Sequence, residues 1–238
     1  MRSWCVVLLV GLVLVGVEAR AKCAGEWVKV SPANEVELPA QPTVLVTLGG
    51  RFQKVDLVSD LEFVFGAQRV AVEVVSRFEG YSQVVALVKP VTPLPPARWA
   101  LTLKKSSKEQ LGRSLGSWKV GKTVDAVAPA FVGTPSAGET SWAELGCGPA
   151  SSIEVKGVAM NEPNAFVEAA VTVEGKTEAA MFAPKEGGFD LGHGMCSGAF
   201  DLKPGVTATV VFTPVDVSGN RGASSAPVTF KAPGPATP

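Results

Sequence analysis

The sequence predicts an all-β protein: two β-sandwich domains in tandem behind a cleaved leader. Three observations carry this expectation. Short runs of β-branched residues alternate with polar ones, the period-2 pattern of a half-buried strand. The runs recur every ~8–15 residues between Gly, Pro and Asn turns, as sandwiches do. Finally, 18 prolines and 25 glycines interrupt the chain too often for long helices, while a hydrophobic content of 46% is enough to fill cores.

The chain opens with Arg2 and the apolar run Trp4 to Val17. That run is shorter than the ~20 residues a helix needs to cross a bilayer. Small residues follow at signal-peptidase spacing, either Ala19 and Ala21 or Val17 and Ala19. Residues 1–21 are therefore expected to be a signal peptide cut after Ala21. Lys22 ahead of Cys23 breaks the pattern of a lipid anchor. The mature chain is expected to be exported, to the periplasm or cell surface of a bacterium, and not to be an integral membrane protein. The 22 basic residues balance 22 acidic ones, which excludes nucleic-acid binding driven by a basic surface.

The first domain is expected over 22–105. Its strand candidates are "EWVKV", "PTVLVTL" ending at Gly49-Gly50, "QRVAVEVVSR", "SQVVALVKP" and "RWALTL". In the third, Val70, Val72 and Val74 share one face; in the last, Trp99, Leu101 and Leu103 do. "VSDLEFVFG" fits either a strand or a helical turn. From Lys104 to Lys122 the chain reads "KKSSKEQLGRSLGSWKVGK", with no apolar face evident. Six basic residues there (Lys104, Lys105, Lys108, Arg113, Lys119 and Lys122) face one acid, Glu109. Residues 106–123 are thus expected to be a basic, solvated linker. With Trp118, these cations form a candidate surface contact for an anionic envelope polymer.

The second domain is expected over 124–232, followed by a proline-rich tail at 233–238. "APAFVGTPSAG" and "SSIEVKGVAM" are its first strand candidates, and "AFVEAAVTVEGK" sets Val167, Ala169, Val171 and Val173 on one face. "TEAAMFAP", "GGFDLGHGMCSG", "VTATVVFTP" and "APVTFKA" complete the series. In "LKPGVTATVVFTPVDVSGNRG", Pro204 and Gly205 mark a corner, and Gly219 and Asn220 tolerate the left-handed conformation of a tight turn.

This stretch resembles the last two strands of bacterial Ig-like and fibronectin type III-like domains. Leu202, Pro204 and Gly205 match the family's "L-x-P-G" corner, while Asp216, Gly219 and Asn220 match its "D-x-x-G-N" turn. "VDAVAPAF" is similar to the family's opening "D-x-x-A-P". The family often carries an aromatic just beyond the corner, where this chain has Thr207 and Ala208. "LPPARWALTL" echoes the corner in the first half, with Leu94 and Pro96 matching Leu202 and Pro204. The resemblance implies two Ig-like sandwiches and a structural or adhesive role.

Once the leader and Cys5 are removed, Cys23, Cys147 and Cys196 remain. The odd count allows one bridge. Cys147 and Cys196 fall in the same expected domain and are the expected pair, leaving Cys23 as the odd thiol; Cys23 is an alternative partner for either. Closing the loop of about 50 residues between them would contribute about 4 kcal/mol.

"GRSLG", Gly112 to Gly116, matches the nucleophile-elbow pattern at Ser114. An elbow needs a buried strand before it and a helix after it, and neither flank supplies these. His193 is the single histidine. With Met195, Cys196 and Asp190 or Cys147 it falls short of a zinc or blue-copper set, and the expectation is a loop with a disulfide cysteine. "DVSGNRG" alternates Asp216, Ser218 and Asn220, but Arg221 and Pro227 stand where a calcium loop requires Gly and Glu. A hairpin turn is expected instead. No cofactor and no catalysis are expected. The expected function is an exported structural or adhesive protein; the alternative is a ligand- or metal-binding envelope accessory. Its partner would be an envelope polysaccharide or another envelope protein.

Overall fold

The computed structural model describes residues 27–34, 36–104, 113–123, 125–146 and 148–235. The fold is all-β, built from antiparallel sheets. The leader expected at 1–21, and Cys23, Lys105, Lys108 and Cys147, lie outside the described residues.

The first half contains β1 (Trp27–Ser31), β2 (Glu37–Leu38), β3 (Val44–Gly49), α1 (Leu57–Asp60), β4 (Leu61–Phe65), β5 (Gln68–Gly80), β6 (Gln83–Pro90), β7 (Arg98–Leu103) and β8 (Arg113–Val120). The order of the strands is β1-β3-β6-β5-β4-β7-β8-β2. One strand joins two layers. The first part of β5 pairs with β4 and the rest with β6, with a bulge between Val74 and Ser76. A bulge strengthens local twist and bends the strand, so β5 turns the ribbon over. The layers enclose a core that includes Val46, Phe63, Leu101, Trp99 and Trp118.

The expected alternation holds. Val72 is buried, with Val70 and Val74 half-buried beside it, and Trp99, Leu101 and Leu103 are all buried. The ambiguous "VSDLEFVFG" is both things in turn. The Asp56 carboxylate accepts from the Val58 and Ser59 N–H groups to start α1, and β4 follows at once.

The linker expectation is corrected over residues 113–120. They form β8, which pairs with β7 along its length and with β2 in parallel. Its buried face is Gly116, Trp118 and Val120. A glycine stands where an apolar side chain would be sought, because a Cβ at Gly116 would strike the Trp118 ring and Val30. Trp118 is fully buried and its indole N–H donates to the Pro32 and Ala33 carbonyls. It is a core residue, and the surface-contact role expected for it does not hold. Lys119 instead pairs with Glu37 at 2.7 Å, while Lys104 donates to the Ser59 carbonyl.

The second half contains β9 (Ser136–Leu145), β10 (Gly148–Lys156), β11 (Phe166–Val173), β12 (Lys176–Phe182), β13 (Phe189–His193), β14 (Thr207–Val215) and β15 (Val228–Lys231). They form a three-stranded sheet, β13-β10-β9, and a four-stranded sheet, β12-β11-β14-β15. The core between them holds Ile153, Val155, Val167, Ala169, Leu191, Val210 and Phe212. The strand expected in "APAFVGTPSAG" is reduced to a single bridge, Phe131 to Met160. The strand that does form there, β9, starts at Ser136 and runs through "SAGETSWAEL". Most of its residues are exposed, so it lacks the apolar alternation by which the others are recognised.

The two units are not spaced apart. Leu45, Val85 and Leu87 on the outer face of β3 and β6 share a buried cluster with Phe166, Met181 and Val215. The β5–β6 hairpin extends the contact. Phe78 packs against the second core and lies 5.1 Å from the Phe200 ring centroid. The Gly198 N–H donates to the Tyr81 carbonyl. Gly80 and Gly198 permit this approach, since a Cβ on either would collide with backbone across the junction or beside it.

Such a junction predicts joint unfolding. The protein is expected to denature in urea as one transition seen alike by fluorescence and circular dichroism. Leu87→Ala, which empties the shared cluster, should cost about 3 kcal/mol and separate the transition into two. A parent protein that already unfolds in two steps would contradict this.

Candidate functional site

Two places at the junction bring chemistry-bearing side chains together. The first is built by the turn between β14 and β15. Asp216 is buried. Its Oδ1 accepts from the Ser218 and Asn220 N–H groups, and its Oδ2 from the Asn220 amide. Gly219 takes φ 86°, which a Cβ disfavours. The expected hairpin turn at this motif is present. The motif also does something the sequence did not show. The Asn220 amide donates 2.9 Å to the Asp125 carbonyl of the chain connecting the two units. From the first unit, the Thr43 N–H and hydroxyl donate to the Val217 and Asp216 carbonyls.

Around this turn, one carboxylate oxygen from each of Asp125, Glu162 and Asp216 lies within 4.8 Å of the others. Partial burial, and then the Asp125 and Asp216 carboxylates, push the Glu162 carboxyl above its ordinary value. Three carboxylates at this spacing could hold a hard divalent cation, which takes oxygen ligands. Sequence reasoning found Asp216 as a turn residue and missed the trio. The three residues come from separate loops, and only the fold brings them together.

The second place is a groove of about 670 Å³ beside the shared apolar cluster. Its floor is the outer face of the sheet, where strand register sets three rows: Trp27-Gly49-Gln83, Lys29-Thr47-Val85 and Ser31-Leu45-Leu87. Met181, Phe182, Ala183 and Lys185, at and beyond the end of β12, form the facing wall. Asn34 and Leu115 close one end. Trp27 lies against Gly49, where an added Cβ would fall within the indole, and the Lys29 ammonium sits 5.1 Å from the ring centroid.

The residues weighed from sequence fall elsewhere. Ser114 is exposed inside β8, where its hydroxyl donates to the Gly116 carbonyl at 3.4 Å. It sits in a strand rather than on the strand-to-helix turn an elbow requires. His193 is buried, with Nε2 3.5 Å from Asp201 and its ring 4.5 Å from Tyr81 across the junction. Cys196 is disulfide-bonded. Arg113 and Lys122 are exposed near the two ends of β8.

No protein-family model matches the chain, and no curated protein matches it. Among solved structures, it is similar to a chain of a cytokine receptor complex, with 12% identity over 88% of this chain and 98% of that one and a TM-score of 0.27. It is also similar to pullulanase type I from Bacillus subtilis str. 168 complexed with maltose, with 12% identity over 80% of this chain and a TM-score of 0.25. The match spans about a quarter (24%) of the pullulanase chain. At these values neither match bears on function.

The trio has a pH signature. A carboxyl raised in the folded state contributes stability that is full below its unfolded value and lost as pH rises through the folded one. Glu162→Gln should therefore be more stable than the parent at about pH 7, with the difference gone near pH 3. Urea midpoints at both values measure this. If the trio holds calcium, millimolar calcium chloride raises the parent's midpoint, and Glu162→Gln abolishes that rise.

Proposed function

We propose that this chain is an exported, non-catalytic protein of the bacterial envelope. In this reading its two Ig-like sandwiches are locked into one rigid body with a structural or binding role. The observation that carries the reading is the apolar cluster of Leu45, Val85, Leu87, Phe166, Met181 and Val215. Burying such residues between two sandwiches fixes their relative orientation, which suits a scaffold or a recognition surface spanning both.

Strand order supports the Ig-like assignment. Lettered as in an immunoglobulin domain, β1-β3-β6-β5 is A-B-E-D, and β2-β8-β7-β4 is A′-G-F-C. In the second unit β9-β10-β13 is A-B-E, and β12-β11-β14-β15 is C′-C-F-G. Leu94 and Leu202, the two matched corner residues, are both buried just ahead of the F strands β7 and β14. The leader-like Trp4 to Val17 run supports export. Among the described residues no helix is long and apolar enough to cross a membrane. A second reading, a cation-binding accessory protein, is favoured by the acidic trio and is decided by the calcium titration above.

The proposed bridge has support from strand placement. Gly148, next to Cys147, opens β10, and Cys196 lies in the turn just after β13, the strand paired with β10. Non-reducing peptide mapping should recover a Cys147–Cys196 peptide, with Cys23 free. A Cys23-linked peptide would reassign the bridge. Expression of the full chain in a bacterial host should yield mature protein beginning at Lys22 in an exported fraction. An intact leader retained in the cytoplasm would overturn the export reading, and a scattering profile of two loosely tethered bodies would overturn the rigid one.

A further inference from the structure

We propose that the groove between β1 and the end of β12 binds an acidic polysaccharide, a chain of sugar rings carrying carboxylates. The proposal rests on the reading of this protein as an envelope component and names the partner class for it. Three features of the groove point to this ligand.

The first is charge. Lys29 and Lys185 are cations, and none of the described lining residues is acidic. Neither lysine forms an ion pair among the described residues. This contrasts with Lys89, Lys119, Lys156 and Lys203, which all have carboxylate partners within 3 Å. A groove with two unmatched ammonium groups complements an anion.

The second is the mixture of surfaces. Sugar rings present apolar C–H faces and hydroxyl edges at once. Trp27 supplies an aromatic surface held in place by Gly49, and aromatic residues of this kind suit amphipathic partners. Thr47 and Gln83 make no side-chain hydrogen bond among the described residues. Asn34 uses its carbonyl oxygen to accept from the Ser117 N–H, which leaves its amide donors to face the groove. A fatty acid would cover these groups without satisfying them, which is costly.

The third is shape. At about 670 Å³ the groove is within the range of ligand sites, which favour domain interfaces. In its floor β3 and β6 are paired along both edges, while β1, like β12 across the groove, is the last strand of its sheet. An acidic peptide adding a strand at such an edge would bind through main-chain bonds, and the polyglutamate titration below separates that occupant from a sugar chain.

The test is calorimetric titration of the full mature chain with an oligogalacturonate, a neutral cello-oligosaccharide of equal length, and polyglutamate. Binding of the oligogalacturonate alone is expected, weakened about tenfold by Lys29→Gln or by Lys185→Gln. Trp27→Ala should weaken it as well, and Gly49→Ala, which displaces the indole, should imitate Trp27→Ala. Thermal melts confirm that each variant is folded. No binding, equal binding of the neutral oligomer, or indifference to the lysine substitutions would overturn the proposal. Equal binding of polyglutamate would reduce the groove to a generic anion or peptide surface and overturn it too. None of these failures touches the export and rigidity readings, which leader sequencing and scattering decide separately.

Discussion

Much of this molecule is organised by one buried carboxylate. Asp216 gathers the main chain of its own turn, and the ordered turn then reaches outward. Asn220 holds the connecting chain at Asp125, while the carbonyls of residues 216 and 217 take the N–H and hydroxyl of Thr43. Three segments far apart in sequence thus meet on a five-residue loop. A buried group of this kind is costly if left unpaired. The loop must therefore adopt this one arrangement, and in doing so it sets where the second sandwich begins.

The apolar cluster next to it acts on the same junction by different means. Hydrogen bonds at the turn are directional and fix register; burial of Leu87, Phe166 and their neighbours is not directional and supplies adhesion. The groove owes its form to both. Its floor belongs to the first sandwich and its wall to the second, so its width is set by how firmly the two are held.

Strands with a clean alternation were legible in the sequence because each side chain reports its own face. β5, β7, β11 and most of β14 follow the expected alternation, while β6 is buried on both faces because its two sides join different clusters. The corner at Leu202 and the turn at Asp216 were legible because Pro, Gly and Asn carry backbone requirements of their own. β8 was hidden by its composition: its inward positions include Gly116, small because Trp118 fills the space, and its charges suggested a solvated spacer. β9 was hidden by exposure. The carboxylate trio and the groove were illegible in principle: the trio joins loops that only the fold of the second half brings together, and the groove joins elements that meet only where the two halves pack.

The parallel pairing of β2 with β8 sets how the first sandwich responds to mechanical load. These strands lie near the two ends of that unit and run side by side in the same direction. The Gly121 N–H to Leu38 carbonyl bond and the Ala40 N–H to Thr123 carbonyl bond extend the contact. Pulling the two ends apart draws the strands past one another along their length, so the bonds bear the force together instead of opening one at a time. In the second sandwich the last strands, β14 and β15, are antiparallel neighbours. Tension that reaches β15 from beyond it therefore acts as a peeling force, and the two halves would yield to stretching by different routes.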